Sequence, residues 1–133
     1  MSRPRLLVAD DHAALRRALV DLLDDAGFEV LGEAADGADA VALTKRLEPD
    51  IVLLDLRMPV LNGLDAARLI RDALPATQVV MLSAFDSPEL KQQAEEVGCY
   101  AYLVKGTSVA ELRIALHGAM AERRALLPPS AGC

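Results

Sequence analysis

The segment "LLVADDHAAL", Leu6–Leu15, runs four apolar residues straight into two adjacent carboxylates, Asp10 and Asp11, and then into a helical pattern. Like charges at the end of a buried strand repel, and at least one such acid has a raised pKa unless a cation compensates. The stretch therefore predicts a strand whose carboxyl end expects something positive. Four further short runs resemble it: "EVLGEA" (29–34), "DIVLLD" (50–55), "QVVMLS" (78–83) and "YAYLVK" (100–105), beside "RLLVAD" (5–10) itself. The first, third and fourth in chain order are apolar through their middles, as strands covered on both faces are.

Between these runs the apolar period changes to that of a helix. Leu15, Ala18, Leu19, Leu22, Leu23 and Ala26 form one stripe that Gly27 stops. Further helices are expected over 37–48 with Ala40, Leu43 and Leu47 inward, and over 63–74 before Pro75. Two more are expected over 87–97 with Leu90, Ala94 and Val97 on one side, and over 108–124 with Val109, Leu112, Leu116, Ala119 and Met120 inward. Strict strand–helix alternation with short connections predicts a parallel sheet clothed by helices on both faces. The expected class is α/β: a flavodoxin-like (βα)5 doubly wound sandwich, its five-stranded parallel sheet in the order 2-1-3-4-5. One domain is expected over 1–124, followed by a linker or tail over 125–133, where "ALLPPSAGC" turns to proline, serine and glycine.

Composition narrows the function classes. Twenty acidic residues against fourteen Lys and Arg give a net charge of -6, which opposes gripping a nucleic-acid backbone directly. No apolar run reaches the roughly 18 residues of a membrane span, so the cytoplasm is the expected compartment and no membrane partner is expected. Cys99 and Cys133 have neither zinc-site spacing nor the number of a disulfide framework. Cys99 is expected buried as a small hydrophobe, and Cys133 exposed. "GEAADG", Gly32–Gly37, has no following Lys and Ser or Thr, so it is not a P-loop.

In an open α/β sheet, ligands bind outside the carboxyl ends of the strands. Those ends carry Asp10 and Asp11, Asp55, Ser83 and Lys105. Singly, each reads as a helix cap or a solvated end; together they suit phosphoryl transfer. Mg2+ takes one or two carboxylates and leaves positions for phosphate oxygens. Asp55 is a competent nucleophile, Lys105 a point charge for a phosphoryl oxygen, and Ser83 a donor. His12 is read as a surface residue at a helix start, since oxygen ligands suit Mg2+ better than imidazole does. His117 is assigned no chemistry.

With "ADD" at 9–11, "LLDLRMPVLNG" at 53–63, "MLSA" at 81–84 and "YLVK" at 102–105, the chain from about Arg5 to Arg124 resembles the receiver domain of two-component response regulators. "DDHAALRRAL" and "GEAADGADAV" resemble most the LuxR/NarL-type subgroup. The resemblance implies that Asp55 is the phosphoacceptor and that Asp10, Asp11, Asp55 and the Arg57 backbone carbonyl bind Mg2+. It also implies that Ser83 and Tyr102 are the switch pair and that Lys105 contacts the phosphoryl group. A sensor histidine kinase is the implied donor, and the face of helix four, strand five and helix five the implied output surface. Dimerisation on phosphorylation is a further expectation.

By the same resemblance the chain is not an enzyme, although it takes part in its own phosphoryl transfer and autodephosphorylation. Its output is expected to be transcriptional, with DNA reached only through a helix-turn-helix domain lacking from this sequence; a stand-alone receiver acting by protein contacts is the alternative. Phe85 and Arg57, each two places past a site residue, are expected to tune phosphoryl lifetime. Where the family has Lys-Pro this chain has Lys105-Gly106, so the family's cis peptide is not carried over; a cis bond before a non-proline costs roughly 2.5–4 kcal/mol. A haloacid-dehalogenase-type phosphohydrolase would need an Asp where Arg57 stands. Flavin binding would place a phosphate against Asp10 and Asp11, which would repel it.

Overall fold

A computed structural model of the chain describes residues 3–128. The run before the acid pair is β1 (Arg5–Ala9), followed by α1 (Ala13–Asp25), β2 (Glu29–Ala34), α2 (Gly37–Leu47) and β3 (Ile51–Leu54). Then come α3 (Gly63–Ala73), β4 (Gln78–Ser83), α4 (Pro88–Glu96), β5 (Ala101–Val104) and α5 (Val109–Leu126). The strands form one parallel sheet in the order β2-β1-β3-β4-β5, as expected.

Strand alternation sorts the side chains into two cores. Leu7, Ala9, Val52, Leu54, Val79 and Met81 pack on one face against Ala40 and Val41 of α2 and Ala66, Ala67 and Ile70 of α3. Leu6, Val8, Ile51, Leu53 and Val80 pack on the other against Val20 and Leu23 of α1 and Leu112, Leu116, Ala119 and Met120 of α5. β1 and β3 and nearly all of β4 are buried, whereas β2 and β5 are edge strands and only half covered. That is why their sequences are less apolar.

Four helices begin on a side-chain cap: Asp36, Asn62, Ser87 and Ser108 each accept a backbone N–H three residues on. α1 has no such cap: its flanking residue is His12, whose side chain accepts no helix N–H, while the His12 backbone N–H donates to the Asp10 carboxylate at 2.8 Å. α2 ends on Glu48 in the left-handed region (φ 48°), ahead of Pro49.

Three sequence expectations are corrected. Leu15 and Ala18 are exposed, and Val20 is buried in their place, because α1 packs on the sheet with its C-terminal half, Leu19 to Ala26, while its first turns overhang the rim. Val109 is exposed, since it opens α5 at the rim, beyond the reach of the core. α5 runs to Leu126, past the expected break at Arg124, because the Arg123 guanidinium pairs with buried Asp50 at 3.3 Å and pins the last turn to the sheet. Cys133 and the rest of 129–133 lie outside the described residues.

The loop after β3 is held tightly. Val60 adopts φ +71° within a three-residue turn closed by Leu61 N–H to Pro59 O at 2.8 Å, a strained conformation for a β-branched residue. Gly63 starts α3 against the backbone of Asp55: a Cβ there would lie 2.3 Å from the Asp55 carbonyl oxygen and 2.9 Å from Leu56 Cα. Backbone cannot give way as a flexible side chain can. Gly63→Ala is therefore expected to lower unfolding free energy by about 1–3 kcal/mol; a urea midpoint unchanged from wild type would contradict the contact.

Candidate functional site

One backbone hydrogen bond beyond the ends of β1, β3 and β5 sets the level of the site. Asp10 N–H donates to Ala34 O at 3.0 Å, Asp55 N–H to Ala9 O at 2.9 Å and Lys105 N–H to Ser83 O at 2.7 Å. Each ladder thus fixes a side chain at the same carboxyl rim of the sheet. Lys105 Nζ donates to Asp10 Oδ2 at 2.8 Å and stands 3.4 Å from Asp55 Oδ2. Asp10 and Asp55 are buried, while Asp11 is exposed at the mouth.

The repulsion among the rim carboxylates falls on Asp55. Burial pushes its carboxyl above the usual carboxylate range, the charges of Asp10 and Asp11 push the same way, and Lys105 only partly offsets them. For Lys105, burial acts to lower the pKa, but the hydrogen bond to Asp10 and the charges of Asp55 and Asp10 outweigh it. The ammonium is thereby held firmly charged. Asp55 is raised chiefly by its burial and then by the neighbouring carboxylates, whereas Lys105 is raised by its contacts with Asp10 and Asp55.

Donor atoms of Asp10, Asp11 and His12 come within 4.8 Å of one another, a grouping that could hold a metal ion. The carboxylates fit a hard divalent cation. His12, read from sequence as a surface residue, is exposed and adjacent; its nearness follows only from the tight entry to α1. Asp55 joins the acid pair through Lys105 and is not among those three.

Ser83 is fully buried, and its Oγ accepts the N–H of Phe85 at 3.0 Å. The Tyr102 hydroxyl donates to the carbonyl of the same Phe85 at 2.5 Å. The Arg57 guanidinium lies 4.4 Å from the centroid of the Phe85 ring. Three residues from three segments converge on Phe85, a meeting the sequence marked by position without revealing the contact. Gly106 adopts φ +96°, and no cis peptide occurs among the described residues, so the Lys105–Gly106 bond is trans. Cys99 is half-buried, its thiol pushed up to about 12 by burial despite the charge of Arg71. His117 packs against Phe28, ring centroids 5.2 Å apart and planes tilted by 38°.

A sheet of this order with acids and a lysine at its carboxyl rim defines a receiver-type signalling domain. The chain belongs to the response regulator receiver domain family, whose model matches residues 6–117. It is 39% identical over 120 residues to the transcriptional regulatory protein PdtaR of Mycobacterium tuberculosis, covering 90% of this chain and 58% of that protein's length. The signal receiver domain of NarL from the same organism superposes with a TM-score of 0.83 at 37% identity, covering 90% of this chain and 98% of that chain. A CheY of Borrelia burgdorferi, solved as a CheX-CheY-BeF3-Mg2+ complex, gives a TM-score of 0.83 at 26% identity, covering 88% of this chain and 89% of that chain. The family places the chain in two-component, phosphorylation-based signalling. No helix among the described residues is long and apolar enough to cross a membrane.

The raised pKa of Asp55 has a consequence for stability. Its proton is held better by the fold than by the unfolded chain, so this contribution is full below the ordinary value of 3.8 and is lost as pH rises through the folded value. At neutral pH the ionised Asp55 is therefore a net cost. Asp55→Asn is expected to stabilise the metal-free protein at pH 7 by on the order of 1 kcal/mol, with the gain shrinking in acid. Thermal unfolding at pH 7 and pH 4 measures it, and a destabilised variant at pH 7 would contradict the charge assignment.

Proposed function

We propose that this chain is a phosphorylation-activated switch in which Asp55 accepts a phosphoryl group from a phosphohistidine of a partner sensor kinase, in a Mg2+-dependent reaction. The observation that carries this reading is the Lys105 ammonium set between Asp10 and Asp55 at the sheet's carboxyl rim. In the proposed step an Asp55 carboxylate oxygen attacks phosphorus and forms a P–O bond. The P–N bond of the donor breaks, and the imidazole nitrogen leaves with the electron pair and takes up a proton.

Asp10, Asp11 and the Arg57 backbone carbonyl, with Asp55, would hold Mg2+; an all-oxygen set suits that ion better than the neighbouring His12 does. When bound, the ion supplies positive charge that offsets the repulsion between an anionic nucleophile and an anionic phosphoryl group. Lys105 places an ammonium where the transferred oxygens arrive. The Ser83 hydroxyl accepts from Phe85 and keeps its own proton free to donate to a phosphoryl oxygen. If Ser83 turns to that oxygen it releases the Phe85 N–H, and the Tyr102 hydroxyl on the Phe85 carbonyl is disturbed with it. The α4, β5 and α5 face then answers the phosphoryl group.

The receiver body is proposed to extend through α5 to Leu126, the link to further sequence following it. Since the chain spans 58% of PdtaR, a transcriptional output through a DNA-binding helix-turn-helix domain belongs to the proposal. The CheY solved with CheX supports a second reading, a receiver whose output is protein contact alone. Phosphorylation-dependent dimerisation fits either.

Incubation with acetyl phosphate and Mg2+ is expected to add one phosphoryl group by intact mass, with none on Asp55→Asn and none after chelation. Unchanged wild-type mass, or equal labelling of Asp55→Asn, would sink the reading. Phe85→Ala removes the ring under Arg57, a contact worth about 0.5–1 kcal/mol at an exposed site. The aspartyl phosphate half-life is then expected to shorten by about two- to fivefold; an unchanged rate of phosphate release would leave the stack no part in excluding water.

A further inference from the structure

The Arg16 side chain, in the first turn of α1, turns back towards the strand end it has just left. Its Nη1 donates to the backbone carbonyl of Asp10 at 2.6 Å, and its Nε donates to Glu33 Oε1 at 3.0 Å. Both side chains are largely covered, 16% and 24% exposed. The second Glu33 oxygen is occupied by Arg17, which also reaches Asp21. Burial pushes the Glu33 carboxyl up, but the hydrogen bonds and charges of Arg16 and Arg17 outweigh it and keep it below the usual carboxylate range.

A one-residue slip in the β1–β2 register brings Glu33 to this place. Leu6 pairs with Val30, but Leu7 pairs with Gly32 and Val8 with Glu33. Neighbours across a parallel sheet share a face, so Glu33 stands on the side of Val8, the side α1 covers. Without the slip Glu33 would oppose Ala9 and face α2. The irregularity is therefore what brings a carboxylate under Arg16.

With Arg16 in place, every polar group of Asp10 is held. Its N–H goes to Ala34 O, its carbonyl to Arg16, Oδ1 to the His12 N–H and Oδ2 to Lys105. The carbonyl bond also fixes the Asp10–Asp11 peptide plane, and through it the origin of the Asp11 side chain. Arg16 and Arg17 are met by Glu33 and Asp21, so the cluster adds little net charge. The action of Arg16 on the acid pair is orientation.

We propose that Arg16, steadied by Glu33, is a positioning residue that presets the Asp10–Asp11 pair for a divalent cation. The inference rests on the metal site of the proposed function. It predicts weaker Mg2+ binding when the fork is lost, even in the unphosphorylated protein. Partners behind metal ligands typically contribute 10–100-fold in affinity, and about tenfold is expected here for Arg16→Gln. A lysine keeps the charge but cannot hold two acceptors in one rigid plane, so Arg16→Lys should bind Mg2+ within about threefold of Arg16→Gln.

The test is titration of the full chain with MgCl2 by calorimetry, alongside thermal unfolding of each variant without metal. Weakened Mg2+ binding in both variants, with metal-free unfolding close to wild type, supports the brace. Wild-type affinity in Arg16→Gln overturns it, as does full rescue by Arg16→Lys, which would make the effect one of charge. Should Arg16→Gln not fold, Arg16→Lys decides by itself: loss of affinity supports the brace and wild-type affinity overturns it. A wild-type chain with no Mg2+ affinity removes the metal reading and the brace with it, whereas wild-type binding with unaffected variants removes the brace alone.

Discussion

The strand ends bring Asp10, Asp55 and Lys105 to one rim, where an ammonium stands between two buried carboxylates that would otherwise repel. At about 4 Å and an effective dielectric near 20, such a repulsion is worth roughly 4 kcal/mol, a sizeable part of a small domain's stability. Lys105 relieves it incompletely: three acids face one cation, and Asp55 keeps a raised pKa. The residual negative charge is a standing preference for a further cation. Burial first, and this charge second, make Asp55 more basic than an ordinary aspartate, a useful property in a group proposed to attack phosphorus.

The sheet makes this arrangement affordable in geometry. Asp10, Asp55 and Lys105 each sit one place beyond a strand, where the backbone still bonds to the neighbouring strand while the side chain leaves the core. Apolar residues immediately below, among them Ala9, Leu54 and Met81, are buried and carry the cohesion. Gly63 then lets α3 close on the Asp55 backbone from the other side. The acids are thus presented by rigid strands instead of by mobile loops, which keeps mutually repelling groups from drifting apart.

The strands and the rim residues were readable because each rests on a local signal, an apolar run of strand length or a polar residue at its end; the strand order followed from the fold class that strict alternation implied. What stayed hidden depends on distant partners. Leu15 and Val109 carry the helical period as well as any core residue, yet both lie at the ends of helices that overhang the sheet. Arg123 looks like an ordinary surface charge until Asp50 is seen beneath it. The register slip that turns Glu33 towards Arg16 has no mark in "EVLGEA". The Arg57–Phe85 stack likewise joins segments far apart in the chain, and only their offsets from Asp55 and Ser83 pointed to them.

Phe85 is where the proposed chemistry and the proposed output meet. Its N–H is held by the Ser83 hydroxyl, its carbonyl by the Tyr102 hydroxyl and its ring by Arg57, two residues from Asp55. A ligand shifts an equilibrium only by as much as it prefers one state to the other. Any group that competes for the Ser83 hydroxyl acts directly on the residue that fixes Tyr102, so such a preference needs no long pathway through the core. The displaced bonds are few and individually modest, each near 1 kcal/mol. Two conformations separated by so little can be exchanged by a single covalent modification, which is what a reversible switch built on this fold requires.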